Sequence, residues 1–139
     1  MKKINLSISL LLIASNFLFA QRPDYKVVFD MSTRDTISQQ AVIRELALIS
    51  KENPTAKLEV VIYGQAINMV TKTQSKQAEA IKGLLANNNI SFKVCAFTMK
   101  RNNITGADLL PAVEIVEDGI YEIISKQHEG WGYIKAVAR

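Results

Sequence analysis

Cys95 is the one cysteine of the 139-residue chain, set in Ser91-Phe-Lys-Val-Cys-Ala-Phe-Thr-Met-Lys-Arg101, where an apolar run gives way to a helical pattern. A single thiol forms no intrachain disulfide, and in an exported chain it points to intermolecular pairing or thiol chemistry. At a strand end followed by a helix, unsatisfied N–H groups and the macrodipole favour the thiolate, which is the nucleophilic form. Strand alternation sends Lys93 to the same face as Cys95, while Lys100 and Arg101 belong to the helix. The competing reading is a small core residue between Val94 and Ala96, because free cysteine is among the most buried residue types. Both readings stand on the residues alone.

Other side chains offer less. His128, the single histidine, lies in Lys126-Gln-His-Glu-Gly130. Without a second His or Cys at ligand spacing it makes no metal site, and neither a metal nor a cofactor is expected. It reads as a C-terminal helix residue, favourable there when protonated. Trp131 sits between Gly130 and Gly132, as a pocket wall or subunit contact on one reading and a core plug on the other. Asp30-Met-Ser-Thr-Arg-Asp35 carries carboxylates, hydroxyls and Arg34 but no phosphate-cradling glycine. In Gly64-Gln-Ala-Ile-Asn68, Gln65 and Asn68 offer amides at a tight turn. No Ser/His/Asp arrangement or dinucleotide fingerprint is present.

The elements that must position these groups alternate between short β-branched runs and helical patterns, the signature of βαβ units. Strands are predicted at Tyr25–Asp30, Leu58–Tyr63, Ile90–Phe97, Val113–Val116 and Tyr133–Val137. Helices are predicted at Thr36–Ser50, capped by Asp35, then at Gln65–Thr71, Gln74–Asn87, Thr98–Asn103 and Ile120–His128. The apolar stripe of the first reads as Ile37, Ala41 and Leu48. Ala78, Ile81 and Leu84 or Leu85 should face inward on the Gln74–Asn87 helix, and Ile120, Ile123, Ile124 and Gln127 should share a side of the last. The expected fold is a three-layer α/β/α sandwich on a parallel sheet of about five strands. Ligands collect beyond the carboxyl ends of such strands. That rule selects Asp30 and Arg34, then Gly64, Gln65 and Asn68, then Cys95 with Met99 and Lys100, to which His128 and Trp131 are added.

Lys2 and Lys3, an apolar stretch from Ile4 to Phe19 and the small Ala20 make residues 1–20 a secretory signal peptide, leaving 21–139 as one domain. The apolar stretch falls short of the ~20 residues of a membrane span, so no membrane association is expected after cleavage. Without the two signal lysines, 15 basic residues face 13 acidic ones, a net charge of +2. The basic residues are scattered rather than gathered into a stripe, which argues against nucleic acid. The expected location is outside the cytoplasm, in the periplasm.

Three segments carry a family resemblance: Phe92–Ile104 around Cys95, Asp108-Leu-Leu-Pro-Ala-Val-Glu-Ile-Val-Glu-Asp-Gly119, and Ile123-Ile-Ser-Lys-Gln-His-Glu-Gly-Trp-Gly-Tyr-Ile-Lys135. The chain resembles the DsrE/DsrF-like family of sulfur-relay proteins from Lys26 to Lys135, in its branch of small single-domain members. The resemblance implies a compact domain on a five-stranded parallel sheet, assembled as a homo-trimer or hexamer. It also implies a sulfur donor or acceptor protein as partner. In relay members a cysteine at the end of this strand accepts sulfane sulfur as a persulfide, and Cys95 is the matching position.

Overall fold

A computed structural model describes residues 24–137; the signal peptide expected at 1–20 lies outside the described residues. Strand β1 (Lys26–Met31) leads to helix α1 (Thr36–Glu52), β2 (Lys57–Ile62), a 3-10 helix (Gly64–Val70) and α2 (Ala78–Leu84). Then come β3 (Ile90–Cys95), α3 (Ala96–Arg101), a 3-10 turn (Gly106–Asp108), β4 (Glu114–Val116), α4 (Gly119–His128) and β5 (Gly132–Lys135). The five strands form one parallel sheet in the order β4-β3-β2-β1-β5. β1 and β2 are almost wholly buried, as strands covered on both faces must be, which explains their near-continuous apolar runs. The expected three-layer architecture is observed.

Period-two alternation divides the sheet. Val27, Phe29 and Met31, with Leu58, Val60, Ile62, Ile90, Phe92 and Val94, join Val42 and Leu46 of α1 and Ile81 of α2 in the main core. The opposite face carries Val28, Val61 and Ile123 of α4, with Tyr63 and Trp131 packed against them.

The element boundaries shift in informative ways. Asp35 caps α1 as expected, its Oδ2 accepting from the Ser38 hydroxyl at 2.6 Å and the Ser38 N–H at 2.8 Å, and these bonds hold its carboxyl below the usual carboxylate range. The buried stripe of α1, however, is Ser38, Gln39, Val42 and Leu46, while Ile37 and Leu48 face outward. Gln39 can be buried because its amide donates to Thr33 O and Asn68 Oδ1, at 3.1 and 3.0 Å, so tertiary bonds rotate the helix away from its most apolar phase.

Helix α2 is shorter than the periodicity predicts. Gln74 and Ser75 N–H groups bond back to Thr71 O, and Ser75 Oγ donates to Met69 O, forming turns in place of the first helical turn. Strand β3 stops at Cys95 rather than Phe97, and α3 starts two residues early with Phe97 exposed on it. On α4 only Ile123 of the expected side is buried, together with Gly119 at the helix start; Ile120, Ile124 and Gln127 face outward. That helix meets the sheet through charged residues instead.

Candidate functional site

Asp30, Tyr63, Cys95 and Lys135 close the ends of four adjacent strands on the face that α4 covers. The register sets Lys135 beside Asp30, Asp30 beside Val61, and Val61 beside Lys93. Three clusters follow from this register.

Cys95 is a free thiol with 5% of its surface exposed. It occupies the N-cap position of α3, yet its side chain makes no capping bond. The thiol turns instead toward the carbonyl of Glu117, with Sγ 3.9 Å from the oxygen. Directly above lies Gly119, the first residue of α4. A Cβ built on it would stand 3.1 Å from Cys95 Cβ and 3.2 Å from Val61 Cγ1, so the absent side chain is what lets the helix sit down on the thiol. Cys95 thus stands at the start of the following helix, as expected, while its thiol faces a carbonyl and the underside of a different helix.

The second cluster surrounds Asp30, which is 6% exposed. Tyr133 OH donates to its Oδ2 at 2.7 Å and Lys135 Nζ to its Oδ1 at 2.8 Å. Lys135 also reaches Ser32 Oγ at 2.9 Å and stands 5.6 Å from the Tyr63 ring centroid. The bond to Asp30, with some burial, raises the Tyr133 hydroxyl above its ordinary value. Partial burial pulls Lys135 down, but the carboxylate outweighs it and the ammonium titrates higher than usual.

The third cluster lies nearer the middle of the sheet. Lys93 Nζ stands 3.0 Å from Glu59 Oε2 and 2.8 Å from Glu122 Oε1, joining β2, β3 and α4. Glu59 is 3% exposed, and its Oε1 has no hydrogen-bond partner. Burial above all, with Glu122 adding and Lys93 opposing, pushes Glu59 up to about 7. Burial would raise Glu122 too, but its bond to Lys93, with the neighbouring Glu59 carboxyl and the Lys93 charge, brings it below the usual range. Lys93 loses by burial and gains more from its two carboxylates, so it titrates above its ordinary value. With both carboxylates in contact with it, this cation is committed to them rather than to Cys95.

The remaining candidates are dispersed. Arg34, Gln65 and Lys100 are exposed, and His128 is exposed at the last residue of α4. Gly64 adopts φ +58° and its N–H donates to Thr98 Oγ1 at 3.0 Å, fixing the turn after β2. Asn68 is spent on Gln39, and Met99 is buried in the main core on the other face. Trp131 packs beside Val28, Val61 and Ile123, with Lys126 Nζ 5.1 Å from its ring centroid. A groove of about 590 Å³, between α1 and β5, is lined by Ile37, Ala41, Ile134 and Val137 and lies away from Cys95. Among the described residues no cluster of three or more His, Cys, Asp or Glu is placed to hold a metal, and no helix is long and apolar enough to cross a membrane.

Sequence reasoning passed over Glu59, Glu122, Tyr63, Tyr133, Lys135 and Gly119. A signal for the first was present: Glu59 interrupts Leu-Glu-Val-Val-Ile-Tyr and Lys93 interrupts Phe-Lys-Val-Cys, and a charge inside a strand covered on both faces needs a partner.

A sequence model of the DsrE/DsrF-like family matches residues 25–136. A protein of unknown function from Methanobacterium thermoautotrophicum superposes with a TM-score of 0.75 at 28% identity, covering 81% of this chain and 99% of that one. The ychN protein of E. coli gives a TM-score of 0.65 at 13% identity over 81% of this chain and 98% of its own. A conserved protein of unknown function from Bacteroides thetaiotaomicron gives 0.64 at 13% identity over 83% and 99%. No curated protein matches significantly.

Proposed function

The chain belongs to the DsrE/DsrF-like family and has its sulfur-relay-type fold, and from that premise we propose that it accepts sulfane sulfur as a persulfide on Cys95. The observation that carries this reading is the position of the thiol at the carboxyl end of β3, where the strand ends of a parallel sheet converge. The Cys95 thiolate attacks the terminal sulfur of a donor persulfide, R–S–SH. A new S–S bond forms on Cys95 as the donor's breaks, and the pair of electrons leaves on R–S⁻. The exchange is redox-neutral and calls for no cofactor. In the closed arrangement seen, a donor reaches Sγ only when the first turn of α4 lifts from Cys95.

Mass spectrometry after incubation with polysulfide tests the assignment: Cys95 gains about 32 Da, one sulfur atom. A Cys95 that takes up no sulfur and also resists alkylation in the folded protein overturns it.

The close packing of Cys95 under Gly119 favours a second reading, a binding or assembly module in which the thiol is core. On that reading Cys95→Ala costs about 1 kcal/mol or more of stability and leaves ligand binding and assembly intact.

We also propose export to the periplasm and assembly as a homo-oligomer. Exposed Ile120, Tyr121 and Ile124 on α4 support the second, since a solvent-facing apolar stripe on a small domain gains from cover by another copy. Light scattering on residues 21–139 checks assembly, with a monomer at micromolar concentration as the contrary result. Cell fractionation checks export, which predicts a product shortened by the first 20 residues or so and absent from the cytoplasm.

A further inference from the structure

Between the sheet and α4 lie buried charges that the sulfur transfer proposed above does not use. We propose that Glu59, Lys93 and Glu122 form a latch that docks α4 on the sheet and, through Gly119, sets the accessibility of Cys95. The inference concerns access to the thiol and holds whether or not that thiol carries sulfur.

Three observations support it. First, the apolar contact beneath α4 is small: Val28, Val61 and Ile123 are the buried members, with Tyr63 and Trp131 at the side. Second, the polar link is short and shielded, Lys93 bridging Glu59 and Glu122 at 3.0 and 2.8 Å. Lys126, one turn on, stands 3.9 Å from Glu122 and 3.1 Å from Glu129. Third, the same helix begins with Gly119 against Cys95, and Glu122 lies one turn after it. Loosening the bridge at Glu122 therefore frees the turn that covers the thiol.

The latch is poised because one oxygen is left over. Glu59 Oε1 is buried and has no donor. A proton on Glu59 removes the charge of that buried carboxyl and leaves one carboxylate, Glu122, for the one ammonium of Lys93. With that proton gone, two carboxylates face one Lys93 in a site water hardly reaches, and an unmatched buried charge weakens the docking.

The charged groups facing Glu59 are Lys93 from β3 and Glu122 from α4, with Lys126 standing 3.9 Å from Glu122. Its sheet neighbours in register, Val28 of β1 and Ser91 of β3, do not titrate. Beyond Val28 on that face, Asp30 is held by Tyr133 and Lys135.

The direction with pH follows from these groups. Glu59 is raised from 4.5 to about 7, so its favourable contribution is complete at acid pH and is lost as pH rises from 4.5 through about 7. The contribution of Glu122, whose folded value is lowered, is lost only below the usual carboxylate range, and that of Lys93, whose folded value is raised, only above the usual lysine range. Between pH 5 and pH 8, the triad changes at Glu59 alone. The latch is tight in mild acid and looser above neutrality.

Alkylation of Cys95 by iodoacetamide in the intact protein, divided at each pH by the rate for the same chain in denaturant, reads the latch without any sulfur donor. Protection falls about tenfold from pH 6 to pH 8 in the native protein, the change expected for a carboxyl returning from about 7 to 4.5 when the helix opens. Glu59→Gln, uncharged at every pH and close in shape to the protonated acid, keeps its protection at pH 8. His128→Gln is the control, a change at the exposed last residue of α4 that leaves Glu59, Lys93 and Glu122 in place, and it follows the native protein. Amide exchange of α4 relative to α1 gives a second readout that needs no variant, and it rises with pH alongside alkylation. Native protection that stays flat between pH 6 and pH 8, a Glu59→Gln protein that follows the native pH profile, or α4 exchange unlinked to alkylation overturns the proposal.

Discussion

The two faces of the sheet are held down on opposite terms. Toward α1 and α2, 20 buried apolar residues form one continuous cluster. Toward α4, three buried apolar residues share the face with Asp30, Glu59, Lys93 and Cys95. Apolar burial is worth roughly 25 cal/mol per Å² and asks little of geometry, whereas a buried ion pair recovers its desolvation only while every partner is in place. Stability therefore resides on the first face. The second is where small changes of charge or shape move a helix, and it is the face that carries the thiol.

The largest effect expected from this contrast is on the apolar side. Phe92 is 0% exposed at the centre of β3, facing the main core. Phe92→Ala should cost about 3–5 kcal/mol, by lost transfer energy and an unfilled cavity, read as a lower urea midpoint with α1 and α4 melting together. A loss under about 1 kcal/mol would break the comparison, since the first face would not be the one that holds the fold.

Next comes the charged side. Lys93→Met removes the ammonium and leaves Glu59 and Glu122 facing each other. Because Lys93 keeps 16% of its side chain in solvent, the expected loss is about 2 kcal/mol at pH 8, below that of a fully enclosed pair. Much of it should return at pH 6, where a proton on Glu59 relieves the repulsion. Urea unfolding at the two pH values measures this. An equal loss at both would mean that Lys93 contributes through the packing of its methylenes rather than through its charge.

The same contrast explains what could be read in the sequence. β1 and β2 were legible because their residues are apolar on both faces, and Asp35 announced the start of α1. The phases of α1 and α4 were not, because hydrophobic periodicity assumes that the buried stripe is the apolar one. In α1 the stripe contains Gln39, held by Asn68 from 29 residues away. In α4 the half-buried Glu122 lies on the sheet-facing side, held by Lys93 at the same separation.

Cys95 could be placed at a strand end from its neighbours alone. Its cover could not, since Gly119 reaches it only through the crossover that lays α4 over the sheet. Asp30 was likewise visible, but Tyr133 and Lys135 lie more than 100 residues on and meet it through the pairing of β1 with β5. Local pattern finds elements, while strand register decides which charges become partners.

The smallest expected effect sharpens the comparison most, because one substitution can be made in a helix on each face. Gly83 lies within α2, and a Cβ built there meets nothing within 4 Å. Gly83→Ala should gain about 0.5–1 kcal/mol through a less flexible unfolded chain and a better helix former. Gly119→Ala receives part of the same gain in α4, but its Cβ would press on Cys95 at 3.1 Å and Val61 at 3.2 Å, both tighter than ordinary contact. Neither neighbour is the free end of a long side chain, so the helix must rise by a few tenths of an ångström or the sheet must yield, and overpacking of this kind costs on the order of 1–3 kcal/mol. The balance is a loss of about 1 kcal/mol, borne by α4: faster Cys95 alkylation and faster exchange of α4 amides, with Val60 and Phe92 amides unchanged. Should Gly119→Ala instead slow alkylation, the added methyl would be sealing the thiol rather than lifting its cover, and α4 would be docked more firmly than three apolar residues and one lysine account for.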